Sequence, residues 1–237
     1  MIRRIPGIRG AQGYFYKGAH GTAVIDPGYT GSFRAVLRFL EAEGDDPKRL
    51  NWVILTHHHI DHAGTAFALC QATGACLALH RDEAPYLRAV RPRERMTFWG
   101  LADRLPMRLA RYLVSCADCE PRLLEDGDTI AGLRVIHCPG HTPGSICLWS
   151  EPESALFTGD VLNNERGRIA RPPWTVNFSH RRARAAPGKL RGLKYERAYF
   201  GHGPAILEGA DRRVEAFLER LPSRAAEVAT SQPTQRR

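Results

Sequence analysis

The sequence contains no long apolar run. Nowhere do its 237 residues approach the ~20 consecutive apolar residues that a membrane-spanning helix requires. The amino terminus, MIRRIPGIRG, begins with basic residues, but Pro6, Gly7 and Arg9 interrupt the apolar segment that a secretory signal peptide needs. We therefore expect a cytoplasmic protein that does not enter a membrane.

The sequence has only six cysteines, and a chain of 237 residues does not need disulfides to fold. A chain of this length can bury a sizeable apolar core without cross-links, so we expect the six cysteines to be reduced thiols with structural roles. Cys116 and Cys119 have the CxxC spacing of a zinc or redox site, but no second CxxC motif and no nearby histidine accompany them. Their role is left open.

Lysine supplies only four of the 34 basic residues, so the formal net charge of +9 comes mainly from arginine. Such a charge either reflects the composition of the source genome or attracts an anionic substrate. The arginines are spread over 88–111 and 166–197, whereas a nucleic-acid footprint is usually one basic face with interleaved aromatic residues. We expect a small-molecule substrate rather than nucleic acid. The sequence leaves the oligomeric state open, with a homodimer as one possibility.

Apolar periodicity predicts strands that alternate with helices. The predicted strands are 21–26, 51–56, 75–80, 133–138, 145–150, 155–160 and 197–202, and the predicted helices are 33–44 (capped by Ser32), 64–74 and 211–221. This order predicts a mixed α and β fold in which helices cover a core of sheets.

Residues 81–120 differ in composition from the rest of the chain. They contain many arginines, three prolines and apolar residues at helical intervals from Phe98 to Leu113, which predicts a helical insertion over the strand core. The polar segment 223–237 predicts a disordered tail. We expect one domain over residues 1–222, and the sequence leaves open whether its insertion is a lid or an interface.

A cluster of four histidines and one aspartate, HHHIDH, follows the predicted strand that ends in NWVILT. Alternate side chains of an extended backbone share a face, so His57 and His59 should point the same way and His58 elsewhere. Asp61 and His62 follow at the start of the next predicted helix. These nitrogen and oxygen ligands suit zinc, or iron or manganese.

Three further candidate ligands lie at the carboxyl ends of predicted apolar strands. They are His141 in PGHTPGS, Asp160 in FTGD and His202 in FGHG. Loops at strand ends commonly present reactive groups, and the adjacent small residues allow backbone and metal to approach closely.

The motifs H-x-H-x-D-H, G-H-T-P-G-S, T-G-D and G-H-G follow the strand end VIDPG in this order, and together they resemble the metallo-β-lactamase superfamily. The resemblance extends over roughly residues 12–210. It implies an α+β fold, the four-layer αββα sandwich of that superfamily, here with a helical insertion.

The resemblance also implies a dinuclear centre that holds two zinc ions, with iron or manganese as alternatives. The implied ligands are His57, His59 and His141 for the first metal, Asp61, His62 and His202 for the second, and Asp160 as a bridge. Asp26 would orient a ligand. A hydroxide between the metals would attack an electrophilic carbonyl or phosphorus, and Asp61 would take or pass on a proton.

Two positions narrow the implied activity. Asp160 stands where true β-lactamases lack a bridging aspartate, and His59 stands where the flavin-coupled di-iron members have glutamate, so both groups are disfavoured. The ligand set resembles that of glyoxalase II, the lactonases and the phosphodiesterase branch. We expect a dinuclear zinc hydrolase of a small thioester, ester or lactone. The alternatives are a metal-dependent phosphodiesterase and a mononuclear iron enzyme similar to the persulfide dioxygenases.

Four residues are candidate substrate contacts. Asn163 lies three positions after Asp160, where the lactonases have a tyrosine, and could donate a hydrogen bond to a substrate oxygen. Phe98, Trp99 and Trp174 could line an apolar pocket under the insertion, or they could simply pack the insertion onto the core.

Overall fold

The computed structural model describes residues 1–87 and 120–221. Their strands are β1 (Ile2–Arg4), β2 (Tyr14–Gly18), β3 (Gly21–Ile25), β4 (Trp52–Ile54), β5 (Cys76–His80), β6 (Arg122–Leu124), β7 (Thr129–Ile130), β8 (Leu133–His137), β9 (Ile146–Ser150), β10 (Ala155–Gly159), β11 (Asn163–Glu165), β12 (Arg168–Ala170) and β13 (Arg197–Phe200). Their α-helices are α1 (Phe33–Ala42), α2 (Ile60–Ala63), α3 (Ala66–Thr73), α4 (Ala84–Leu87), α5 (His180–Ala185) and α6 (Ala210–Glu219). Short 3-10 turns lie at Thr30–Ser32, Pro47–Arg49, Arg81–Glu83, Trp174–Val176 and Ala186–Leu190.

The strands form two large sheets and one hairpin. The first sheet has the order β1-β2-β3-β4-β5-β6, antiparallel from β1 to β3 and parallel from β3 to β6. The second has the order β13-β10-β9-β8-β7, in which only β13 and β10 are parallel. Strands β11 and β12 pair separately.

Three apolar clusters define four layers. Side chains from both sheets, such as Ile25, Ile54, Val135 and Phe157, meet between the sheets. A second cluster packs α1 and α3 on the outer face of the first sheet, and a third packs α6 on the outer face of the second. The α+β fold and its αββα layering, predicted from the sequence, are confirmed.

Burial on both faces of each sheet explains the apolar runs that predicted the strands. In β3, Ala23 and Ile25 face the other sheet, whereas Val24 faces the helices. Strand β2 was not predicted, because its YFYKG sequence shows no alternation: Tyr14 and Phe15 are both buried, on opposite faces. A strand buried on both faces lacks the polar alternation that marks a half-exposed strand.

The predicted role of Ser32 needs correction. Ser32 occupies the N-cap position of α1, but its hydroxyl accepts a hydrogen bond from the Arg9 backbone N–H at 3.0 Å and none from the helix. Its side chain therefore ties the amino-terminal segment to the helix start instead of capping it.

Most of the predicted insertion (81–120) and all of the tail (223–237) lie outside the described residues. The part of the insertion that is described begins with the 3-10 turn Arg81–Glu83 and α4. Cys138 and Cys147 are buried free thiols, whereas Cys116 and Cys119 fall in the undescribed range. In the described ranges, no helix is long and apolar enough to cross a bilayer.

Candidate metal centre

Every predicted ligand lies beyond the carboxyl end of a strand, either in a loop or, for Asp61 and His62, in the short helix α2. The HHHIDH segment follows β4, and His141 follows β8. Asp160 directly follows β10, and His202 follows the neighbouring parallel strand β13. Because these strands are paired and buried, they hold the loops at fixed separations.

The first group of side chains contains His57, His59 and His141. One ring nitrogen from each lies within 4.8 Å of the others, and His59 Nδ1 is 2.9 Å from His141 Nε2. His57 and His141 are buried. Three imidazoles that converge in this way match the ligand type and count of a zinc site.

The second group contains Asp61, His62 and His202. His202 Nε2 lies 3.3 Å from Asp61 Oδ2, and His62 Nε2 lies 3.8 Å from the same oxygen. His62 is buried, whereas the His202 side chain is 40% exposed. This group therefore lies at the solvent-facing side of the site.

Asp160 lies between the two groups. Its Oδ2 is 3.4 Å from His141 Nε2 and 3.4 Å from His202 Nε2, and its Oδ1 is 3.4 Å from His62 Nε2. One carboxylate thus faces histidines of both groups, which is the position that a bridging ligand would need.

Hydrogen bonds on the far side of the rings fix which nitrogen faces the centre. Asp26 Oδ2 accepts from the Thr56 hydroxyl at 2.6 Å and is 2.8 Å from His62 Nδ1. Because the Thr56 hydroxyl donates its hydrogen bond to Asp26, its oxygen accepts a hydrogen bond from His57 Nδ1–H at 3.1 Å. Nδ1 of both rings is therefore engaged on the far side, and Nε2 of both histidines faces the centre.

His141 is oriented in the same manner. Its Nδ1 lies 3.0 Å from Asn177 Oδ1, which can only accept, so Nδ1 carries the proton and the Nε2 lone pair faces the centre. The prediction that Asp26 orients a ligand fits this arrangement, because its carboxylate contacts His62. Thr56 and Asn177 were not predicted. Thr56 directly precedes the histidine cluster, but Asn177 has no signal in the local sequence.

Three buried polar atoms at the centre lack hydrogen-bond partners among the described residues. They are His57 Nε2, His62 Nε2 and Asp160 Oδ1. A buried polar atom without a partner costs about 1–3 kcal/mol, and these three atoms come from one compact group. Residues with this donor set, arranged this way, fit a bound metal.

Glycine beside the ligands permits the close packing that the sequence predicted. A Cβ on Gly201 would lie 2.3 Å from Asp160 Oδ1 and 2.7 Å from His62 Cε1. A side chain at this position would displace two candidate ligands. Gly201 is therefore required by the site itself.

The two groups differ in charge when no metal is bound. Burial, together with neighbouring histidines, lowers the pKa of His57 well below its usual value, and burial lowers the pKa of His141. Burial alone would also lower the pKa of His62, but Asp160 and Asp26 hold it well above its usual value. Hydrogen bonds to Asp160 and Asp61 raise the pKa of His202 to about 9. His57 and His141 are thus neutral at pH 7, whereas His62 and His202 carry an additional proton.

Metal loading at pH 7 should therefore release protons from the second group, because a histidine must lose its proton to bind a metal. We expect the number of protons released per chain to decrease as the pH rises through about 9, since His202 is then already deprotonated. Calorimetric zinc titrations in two buffers of different ionisation enthalpy measure this number. Equal proton release at pH 7 and at pH 10 would contradict the charge difference between the groups.

The candidate substrate contacts have different settings. Asn163 is buried in β11, and its Oδ1 has no hydrogen-bond partner among the described residues. Trp174 is 65% exposed in a 3-10 turn shortly before Asn177. Phe98 and Trp99 lie outside the described residues.

His80, Asp82 and His137 form a further group of potential ligands. The two imidazole rings stack face to face, with centroids 3.8 Å apart and planes inclined by 15°. A nitrogen lone pair lies in the plane of its ring, so near-parallel rings direct their lone pairs along separate lines. In addition, His137 Nε2 lies 3.0 Å from the Pro143 carbonyl oxygen and so carries its proton. This group is a packing contact between β5 and β8.

This fold, with imidazoles and carboxylates collected at the strand ends, is that of a metal-dependent hydrolase. The metallo-beta-lactamase superfamily profile matches residues 7–202, and the chain belongs to this superfamily.

Named relatives include several hydrolases. YflN of Bacillus subtilis, a probable metallo-hydrolase, is 27% identical over 78% of this chain and 76% of its own length. A hydroxyacylglutathione hydrolase of Methylococcus capsulatus is 32% identical over 61% of this chain and 44% of its own length. The human acyl-coenzyme A thioesterase MBLAC2 is 30% identical over 63% of this chain and 57% of its own length. The chain therefore spans about half the length of these last two relatives.

Solved structures share the fold. The structure of TTHA1623 in a di-iron-bound form aligns with a TM-score of 0.67 and 25% identity, over 92% of this chain and 99% of that chain.

Proposed function

We propose that this chain is a dinuclear metal hydrolase that cleaves a small thioester, ester or lactone. The observation that carries the proposal is the position of Asp160, whose carboxylate faces histidines of both groups at 3.4 Å. A carboxylate that faces both groups of ligands suits a pair of metals, whereas a single metal would use only one of the groups.

The proposed ligands divide between two metals in the same way as they form the two groups of side chains. His57, His59 and His141 would hold the first metal, Asp61, His62 and His202 the second, and Asp160 would bridge them. Zinc suits the nitrogen-rich first group, and the di-iron form of a structural relative supports iron as an alternative. When bound, the metals would supply an activated water and polarise the substrate carbonyl.

Asp61 is the acidic side chain best placed to handle a proton. Its side chain is 22% exposed, whereas the Asp160 side chain is 8% exposed. Although burial raises its pKa, the hydrogen bond with His202 lowers it overall, so Asp61 is ionised at neutral pH and can accept a proton. We propose that it does so while Asp26 and Asn177 keep the rings fixed.

An acyl substrate is favoured by two observations. Relatives named for thioester hydrolysis are 30% and 32% identical to this chain. In addition, Trp174, Val176 and Phe178 are exposed apolar side chains in one segment. That segment is joined to the first group by the Phe178 N–H, which donates to the His141 carbonyl oxygen at 2.9 Å. We propose that Trp174 contacts an apolar acyl group and that Asn163 bonds a substrate oxygen.

A substrate panel tests the proposal. Zinc-loaded protein is assayed with acyl thioesters of increasing chain length, with a lactone and with bis(p-nitrophenyl) phosphate. We expect turnover of the thioesters or the lactone. Activity restricted to the phosphodiester would instead indicate a phosphodiesterase. Oxygen consumption by an iron-loaded sample in the presence of a persulfide would indicate a dioxygenase.

Replacing Trp174 with alanine should raise KM for the thioester with the longest acyl chain by about tenfold, because it removes apolar contact of roughly 1–2 kcal/mol. KM for an acetyl thioester should change little. The exposed Leu207, which lies after His202, provides a matched control as Leu207→Ala. Equal KM values for wild type and Trp174→Ala at every chain length would remove Trp174 from the binding site.

A further inference from the structure

Glu83 is a buried acidic side chain that none of the assigned roles explains. It ends the 3-10 turn that follows β5, and it has no exposed surface. A buried carboxylate is costly unless its oxygens are fully hydrogen-bonded, so its partners indicate its purpose.

Both Glu83 oxygens have two partners. Oε2 accepts a hydrogen bond from the His58 backbone N–H at 2.7 Å and is also hydrogen-bonded to His58 Nδ1. Oε1 accepts from the Thr142 hydroxyl at 2.6 Å and from the Gly144 backbone N–H at 2.5 Å. Burial by itself raises the pKa of Glu83, but His58 and these hydrogen bonds lower it overall, so the side chain is an anion.

These partners belong to the two loops that carry the first group. His58 stands between His57 and His59, and Thr142 follows His141. Gly144 allows the close contact, because a Cβ there would lie 2.8 Å from Glu83 Cγ. One carboxylate therefore joins the two loops at residues directly adjacent to all three histidines.

The His58 ring is held from a second direction. It stacks on Tyr86 of α4, with centroids 4.6 Å apart and planes inclined by 13°. His58 is buried and belongs to none of the candidate metal groups among the described residues. Its ring faces away from the centre, as the alternation of side chains predicted, and it has a defined partner there.

We propose that Glu83 is a positioning residue that sets the separation of His59 and His141, and thereby the metal affinity of the first group. The proposal rests on the proposed function, since it takes His57, His59 and His141 as ligands. Through His58 and Thr142, Glu83 fixes both loops before a metal arrives, so binding requires little rearrangement.

Glu83→Gln tests the proposal at constant size. The amide NH₂ can only donate, so it would face the N–H of His58 or of Gly144, and one loop would move away. We expect zinc affinity of the first group, measured by competition with a chelator, to fall about 10–100-fold, as for other residues that orient metal ligands. The cobalt-substituted variant should show shifted d–d absorption, and at saturating metal kcat should fall while KM stays close to wild type.

The matched control is Glu125→Gln, because Glu125 forms an exposed ion pair with Arg81 close to the same turn. It should leave affinity and spectrum unchanged. If Glu83→Gln does not fold, Thr142→Val removes one of the four hydrogen bonds and should lower zinc affinity about fivefold.

The outcomes are distinct. A folded Glu83→Gln protein with a lower melting temperature but wild-type zinc affinity and cobalt spectrum would overturn the proposal and leave Glu83 with a purely structural role. Wild-type protein that binds no metal would instead refute the proposed function. These two failures are separated because affinity is measured without substrate.

Discussion

Asp160→Ala should abolish measurable hydrolysis, with kcat reduced by about a thousandfold or more. The variant loses the carboxylate that faces His62, His141 and His202 at 3.4 Å. Loss of several kcal/mol of charge stabilisation corresponds to this reduction, since each 1.4 kcal/mol changes a rate tenfold. Bound metal per chain, measured by elemental analysis after gel filtration, should fall together with the activity.

Asp82→Ala provides the control for this variant. The Asp82 side chain is 51% exposed, close to His80 and apart from the proposed ligands, so its removal should leave both turnover and metal content unchanged. An Asp160→Ala protein that keeps its activity and its metal would exclude Asp160 as the bridging ligand.

Asp26→Ala should have the next largest effect, although Asp26 is not itself a proposed ligand. Its carboxylate accepts hydrogen bonds from the Thr56 N–H, the Thr56 hydroxyl and His62 Nδ1. Without it, the His62 and His57 rings lose the contacts that fix their orientation. We expect zinc affinity to fall about 10–100-fold, measured by chelator competition. The free energy of unfolding of the metal-free protein should fall by about 2–3 kcal/mol, because buried donors lose their acceptor.

The role of Asp26 in the backbone turn must be separated from its role in orienting His62. Asp26 has a φ of +51°, a left-handed conformation that asparagine adopts at lower cost than alanine. Asp26→Asn therefore keeps the turn but supplies one acceptor oxygen instead of two. It should reproduce most of the loss of affinity with a smaller loss of stability. If Asp26→Asn binds zinc as tightly as wild type, the role of Asp26 is in the turn and not in orienting His62.

The ligand motifs could be predicted because they depend on the spacing of residues that are close in the sequence. His57 and His59 were predicted to share a face from the alternation of an extended backbone, and Asp160 and His202 each follow an apolar strand. Their arrival at one place, however, depends on the parallel pairing of β10 with β13. The resemblance to a known superfamily implied that these residues share one centre, and periodicity alone could not imply this.

The residues that hold the ligands were harder to predict. Asn177 lies 36 positions after His141 and contacts it only through the tertiary fold. Glu83 was not predicted, because it lies at the start of an arginine-rich segment and no local pattern shows that four donors from two loops surround it. The side chains that support the site are defined by long-range contacts. The ligands, in contrast, can be recognised by their spacing in the sequence.

Titration of metal-free protein with zinc tests the central claim most directly. Bound zinc and thioester hydrolysis are measured on the same samples. A dinuclear hydrolase predicts that activity rises with added zinc and reaches its maximum at about two zinc ions per chain. Maximal activity at one zinc per chain, or hydrolysis that persists after complete removal of metal, would contradict it.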